Sequence, residues 1–136
     1  MNNKKVGNGF EAELAQLLYQ KGFWVHNFAN KAAGQPADII AVKKGIPFLI
    51  DAKVCSKDTY DTRRIEENQK NSMFLWERCG NDCGYFFLKM SNGDIRIIDH
   101  NTMLFARQHK QTLNREEIYD MSIPFLDWLN RRDTYG

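Results

Sequence analysis

The sequence predicts an α/β fold, a mixed β-sheet flanked by helices. Three observations carry it. A helical apolar spacing opens the chain, three strand-like runs follow, and a second helical stretch separates these from a further pair of strands. That order sets helices against a sheet with both kinds of strand neighbour. A length of 136 residues fits one domain over 1–136. An apolar share of 43% is ordinary for a chain that buries a core.

The first helix spans about Gly9 to Lys21, because Phe10, Leu14, Leu17 and Leu18 recur at helical spacing. Gly22 follows, where a helix C-terminus favours glycine. Phe23 to Asn27 reads as a strand. Residues 29–37 read as a loop punctuated by Gly34 and Pro36. Asp38 to Val42 and Ile46 to Lys53 read as two strands of a hairpin, joined at Lys43-Lys44-Gly45. Pro47 sits near the start of its strand, where a missing donor is tolerated. Cys55 to Arg64 is polar and reads as a mobile loop.

Helical spacing returns from Ile65 to Cys79 through Ile65, Gln69, Met73 and Trp76. Tyr85 to Met90 and Ile95 to Asp99 form a second hairpin around Ser91-Asn92-Gly93-Asp94. The tail carries short helices at Met103 to Gln108 and Pro124 to Leu129, with Pro124 in the first turn of the second.

A formal charge of +2 argues only weakly for a nucleic-acid partner. The doublets Lys4-Lys5, Lys43-Lys44, Arg63-Arg64 and Arg131-Arg132 are, singly, most simply solvated surface. Cys55, Cys79 and Cys83 read as reduced thiols, because their spacing does not match a four-ligand zinc site. No run approaches a membrane span, and the N-terminus lacks the apolar stretch of a secretory signal. A cytoplasmic protein with no membrane association is the expectation.

The chemistry is concentrated in the first half. Side chains at i and i+2 of a strand share a face, so Asp51 and Lys53 project together. Both end a strand whose apolar run reads as buried on two sides, and such charges are costly unless paired or ligating. Alone, the pair is most simply an ion pair at a strand end. Asp38 opens the neighbouring strand, and the hairpin brings it to the same end as Asp51. Alone, Asp38 is equally a cap following Pro36. Two adjacent carboxylates repel unless a cation sits between them, and hard oxygen ligands suit Mg²⁺ or Mn²⁺. Glu11 lies at the edge of the apolar stripe of the first helix, whereas Glu13 faces solvent. An acid in a first helical turn is also welcome to the dipole. Gln69 aligns with Ile65 and Met73, where an amide needs a partner, or it is a surface glutamine.

These pieces, in order, are Phe10-Glu11 with Leu14, Leu17 and Leu18, then Gly22-Phe23-Trp24-Val25, Asp38-Ile39-Ile40-Ala41, Ile50-Asp51-Ala52-Lys53 and Gln69. The pattern resembles the restriction-endonuclease-like PD-(D/E)xK nucleases. Within them it is most similar to Holliday-junction resolvases of archaeal and Gram-positive bacterial type. The likeness covers Gly7 to about Gln69. Two departures stand out. Ala37 separates Pro36 from Asp38, and Asp51 occupies the position where resolvases more often have glutamate.

The resemblance implies a restriction-endonuclease-like core and a Mg²⁺-dependent endodeoxyribonuclease, with Mn²⁺ able to substitute. It implies roles in DNA recombination and repair. Glu11, Asp38, Asp51, Lys53 and Gln69 would be catalytic. Asp38, Asp51 and the Ala52 carbonyl would hold the first metal, and Glu11 would complete the site directly or through water. Lys53 would position the attacking water, and Gln69 would orient Lys53 or that water. Lys57, Arg63 and Arg64 would contact phosphates, and Tyr60 would stack or wedge at a junction. Cutting two strands symmetrically implies a homodimer on branched DNA. The alternatives are a flap, fork or restriction-type nuclease of the same superfamily, or a catalytically silent nucleic-acid-binding module.

Overall fold

The structure, a computed structural model, describes residues 3–28 and 37–134, and their side chains over 9–28 and 37–131. The loop expected at 29–36, the Lys4-Lys5 doublet and the side chain of Arg132 lie outside the described residues.

Helix α1 (Asn3–Gln20) starts six residues before the predicted helix. It ends as the sequence suggests. Gly22 takes φ +93°, Phe23 N–H reaches the Leu18 carbonyl at 3.1 Å, and Gly22 N–H reaches that of Tyr19 at 3.1 Å. This paired closure satisfies two of the orphan carbonyls of the last turn. Strands β1 (Trp24–Asn27), β2 (Ile39–Lys43) and β3 (Ile46–Cys55) follow in antiparallel sequence. The β2–β3 turn places Lys44 at φ +52° and Gly45 at φ +79°, the left-handed pair that a two-residue hairpin requires.

The stretch after Cys55 is built rather than loose. Strand β4 (Tyr60–Asp61) pairs with β7 (Thr112–Leu113). The Asp58 carboxylate accepts from Ser91 N–H at 2.9 Å and from its hydroxyl at 2.7 Å, tying the turn to the second hairpin. A single 3-10 turn (Thr62–Arg64) precedes α2 (Glu67–Arg78), so Ile65 is extended and buried ahead of the helix that was expected to include it.

Strands β5 (Tyr85–Met90) and β6 (Ile95–Asp99) form the expected hairpin. Helix α3 (His100–His109) is longer than predicted, and α4 (Arg115–Met121) was not predicted. Asn114 and Glu117 form a capping box at the start of α4. Pro124 does not open the last helix. It belongs to β8 (Ile123–Pro124), where it pairs with Arg96 at the sheet edge, and α5 runs Phe125–Thr134.

The main sheet has the order β1-β2-β3-β5-β6-β8, with β3 and β5 parallel and the other pairs antiparallel. This is the expected mixed sheet between helices. The β3–β5 crossover runs through α2. One face packs on α1 and α5 through Phe10, Leu14, Leu18, Trp128 and Leu129. The other packs on α2, α3 and α4 through Met73, Met103, Ala106 and Ile118. Strand β3 serves both layers, with Phe48, Ile50 and Ala52 facing the first and Leu49 and Cys55 the second. Asp51 and Lys53 therefore project toward the second layer.

Trp128 fixes α5 to the sheet. It is fully buried, stacks on Phe23 at 5.8 Å and meets the edges of Phe48 at 5.2 Å and Phe87 at 5.1 Å. Trp128→Ala is expected to destabilise the fold by about 3–5 kcal/mol in urea denaturation. A loss under about 1 kcal/mol contradicts this packing role.

Candidate active site

The site begins where β3 outruns its neighbour. Strand β2 pairs with β3 only as far as Ile39 opposite Ile50, whereas β5 stays paired with β3 to Cys55. From Asp51 onward the β2-side edge of β3 is open. Asp38, immediately before β2, fills the gap. Its N–H donates to the Ile50 carbonyl at 3.1 Å, and its Oδ2 accepts from Ala52 N–H at 2.8 Å. In a strand the N–H and C=O of one residue point to the same side. The Ala52 carbonyl thus points toward the Asp38 carboxylate.

Asp51 is completely buried. Neither of its carboxylate oxygens has a hydrogen-bond partner among the described residues. The Lys53 ammonium lies 3.6 Å from Oδ1, with its own side chain 16% exposed. Burial holds the Asp51 carboxyl well above the usual carboxylate range, Lys53 opposes this, and the adjacent Asp38 and the charge of Glu66 reinforce it. An anion so placed is costly as it stands. A shared proton relieves such a pair, and so does a divalent cation bound by hard oxygens. The donor set of two carboxylates and a main-chain carbonyl therefore fits Mg²⁺ or Mn²⁺.

Glu11 is 7% exposed on α1, while Glu13 reaches out to Lys89 at 2.6 Å. Among the described residues, no three acidic, histidine or cysteine side chains gather closely enough to hold an ion. Gln69 is 5% exposed on α2 rather than on the surface, and its Oε1 has no hydrogen-bond partner among the described residues. The Cys55, Cys79 and Cys83 thiols are free.

Of the expected DNA contacts, Tyr60 must be corrected. Its ring is fully buried in the second layer, so it cannot stack on or wedge into a junction. Burial raises its pKa, and the Asp51 charge raises it further, so its hydroxyl lies beneath the acid. Arg63 is exposed but held by Asp61, with Nη2 to Oδ2 at 2.6 Å and Nε to Oδ1 at 3.0 Å. Arg64 lies over the Tyr60 ring and donates to the Val54 carbonyl at 3.2 Å, beside Lys53 in the chain. Lys57 is exposed in the turn after β3.

One residue near the site and one exposed ring on the same face were missed in the sequence. Glu66, the N-cap of α2, adds its charge to the Asp51 environment. An acid three residues before Gln69 at a helix start was the available signal. Trp24, expected only as a strand residue, is 63% exposed on β1.

A mixed sheet with paired aspartates and a lysine two residues on defines a restriction-endonuclease-like nuclease domain. The chain belongs to the archaeal Holliday junction resolvase family (Hjc), whose model matches residues 2–134. It is also similar in structure to Hjc of Archaeoglobus fulgidus, described as a Holliday junction resolvase from an archaeal hyperthermophile. The two share 16% identity with a TM-score of 0.68, over 91% of this chain and 95% of that one. No curated protein matches the chain.

The strain on Asp51 has a thermodynamic sign. Its folded pKa lies above the unfolded value of about 3.9, so the folded state binds more protons and stability falls as pH rises above about 3.9. Asp51→Asn removes that penalty. It is expected to raise unfolding free energy by on the order of 1–3 kcal/mol at neutral pH in chelator. Below a pH of about 3.9 the gain should vanish, because aspartate is then neutral in both states. A lower Tm for Asp51→Asn at neutral pH refutes the assignment.

Proposed function

We propose that this chain is a divalent-metal-dependent endonuclease that cuts branched DNA in the manner of a Holliday junction resolvase. The carrying observation is the buried Asp51 carboxylate, without a hydrogen-bond partner among the described residues, next to Asp38 and 3.6 Å from the Lys53 ammonium. Family membership supports the substrate class.

In this reading Asp38, Asp51 and the Ala52 carbonyl hold Mg²⁺, with Mn²⁺ able to substitute. The bound ion lowers the pKa of water and offsets charge on the phosphate. Asp38 is held in place by Ala52 N–H, so its carboxylate is positioned before any ligand arrives. Lys53 orients the attacking water and faces the phosphate. Glu11 acts through water from α1, and Gln69 supplies an amide oxygen from α2. Lys57 and Arg64 contact the backbone phosphates. Arg63 contributes less, because Asp61 already neutralises it.

The reading takes 1–136 as one nuclease domain acting in the cytoplasm. No helix among the described residues is long and apolar enough to cross a membrane. Symmetric cutting of two strands calls for two copies. The groove between α2 and α3, lined by Lys70, Phe74, Leu104, Arg107 and Gln108, supports a homodimer contact there, with Phe105 exposed nearby.

A Mg²⁺ and Mn²⁺ cleavage panel on four-way junctions, flaps, forks and linear duplex tests the reading. Preferential symmetric nicking of the junction is the expected result. Preferential flap or duplex cutting assigns another substrate within the superfamily, and binding without cleavage assigns a silent module. Asp51→Ala and Lys53→Ala are each expected to lower the single-turnover rate by at least about 100-fold with the fold retained by circular dichroism. Undiminished turnover in either variant contradicts the site.

A further inference from the structure

Strand β1 lies at one edge of the sheet and carries aromatic rings on alternate residues. Trp24 and His26 lie nearly parallel, with ring centres 6.4 Å apart and planes at 16°. His26 meets Phe28 at 4.7 Å and 85°. The three rings therefore form one continuous strip. Trp24 is 63% exposed, although tryptophan is expensive to leave in water.

The register says which face the strip occupies. Val25, on the opposite face of β1, packs against the α1 layer. His26 stands opposite Ile40, and Ile40 opposite Leu49. Directly paired residues share a face, as do alternate residues along a strand. Trp24, His26 and Phe28 thus lie on the face that carries Leu49, Asp51 and Lys53. The strip also runs toward the acids, since Phe28 N–H donates to the Asp38 carbonyl at 2.8 Å. Two strand spacings, roughly 10 Å, separate it laterally from β3. Phe28 is the end nearest the acids, whereas Trp24 lies level with Val42 and Pro47, about 13 Å back along the strand from Asp51.

We propose that Trp24, His26 and Phe28 form a shelf on which an unstacked nucleobase rests, a short way along the strand from a phosphate held at Asp38, Asp51 and Lys53. This rests on the nuclease reading and adds to it a specificity determinant. Flat rings suit a base because every base has a π-face, and sequence need not matter. The continuity of the strip with the acid pair selects nucleic acid as the occupant. Stacked duplex offers no free base face to such a shelf, whereas a four-way junction in its open form leaves one face of each branch-point base pair unstacked. The strip therefore discriminates DNA by the presence of unstacked bases.

The test uses the full-length chain in EDTA, so that binding is read without cleavage. The probes are a four-way junction with 2-aminopurine at the branch point and a linear duplex with the same substitution. Trp24→Ala is expected to weaken junction binding about 10-fold and duplex binding by less than about 3-fold, with loss of the 2-aminopurine quench. Trp24→Phe, which keeps a flat ring, should stay within about 3-fold of the parent chain. Equal junction binding by Trp24→Ala overturns the shelf, as does an equal loss on junction and duplex. A change in sedimentation of the free protein with DNA binding unaltered also overturns it, assigning the strip to a protein contact. If the parent chain cleaves junctions while Trp24→Ala binds them normally, the shelf alone fails. If the parent chain neither binds nor cleaves DNA, the nuclease reading fails and the shelf with it.

Discussion

The structure depends on β3 being longer than the strand beside it. Past Ile50 the β2 partner is gone, and one edge of a central strand is left with unsatisfied main-chain groups. Asp38 closes that edge with its side chain, taking the Ala52 N–H. The same gap leaves Asp51 sealed from water and close to a second carboxylate. A sheet paired evenly to the ends of its strands would have no place for either acid. The unpaired length of β3 is thus both the structural irregularity and the source of the chemistry.

The two layers share the work unequally. The α1 and α5 side is almost wholly apolar and centred on Trp128, whose edge and face contacts tie helix to sheet. The α2 side carries the polar atoms that lack protein partners among the described residues. These include both Asp51 oxygens, the Tyr60 hydroxyl, the Gln69 amide oxygen, the Trp76 indole nitrogen and both His100 ring nitrogens. Tyr60 senses the charge of Asp51 and Glu66 adds to it, so both lie near that acid. Buried polar atoms without partners are rare in finished cores. Several of them around one anion mark a region completed by water, a cation or a phosphate, and the apolar layer opposite holds it rigid at a cost in stability.

Much of the frame was legible because it rests on local signals. Gly22 closed α1, Lys44-Gly45 set the hairpin, and the alternation in Ile46 to Lys53 assigned Asp51 and Lys53 to one face. The meeting of Asp38 with Asp51 was legible in outline, although the turn expected at Lys43-Lys44-Gly45 is two residues, Lys44-Gly45, with Lys43 paired to Ile46 and setting the register. What was lost depends on distant partners. Tyr60 sits among polar neighbours, and nothing local reveals that Leu113 pairs with it across more than fifty intervening residues. Pro124 carries a helix-start signal, but pairing with Arg96 draws it into the sheet. Glu11 has the burial expected of it, although a helical wheel gives direction without distance.

The charge arrangement bears on how such a site chooses DNA. A net charge of +2 gives little long-range attraction for a polyanion. Locally, the Arg63 charge is spent on Asp61, while Arg64 stays beside the β3 backbone and over Tyr60. Among the described residues, few other cations remain to neutralise phosphates near the acids, and the salt dependence of binding follows the number neutralised. A surface that gains little from backbone charge cannot hold all DNA tightly. Its preference must then come from features only some DNA presents, namely the geometry of a branch and bases freed from their stack. On the proposed reading, the exposed rings on β1 and the open edge of β3 serve one end, in which shape supplies the selectivity that charge does not.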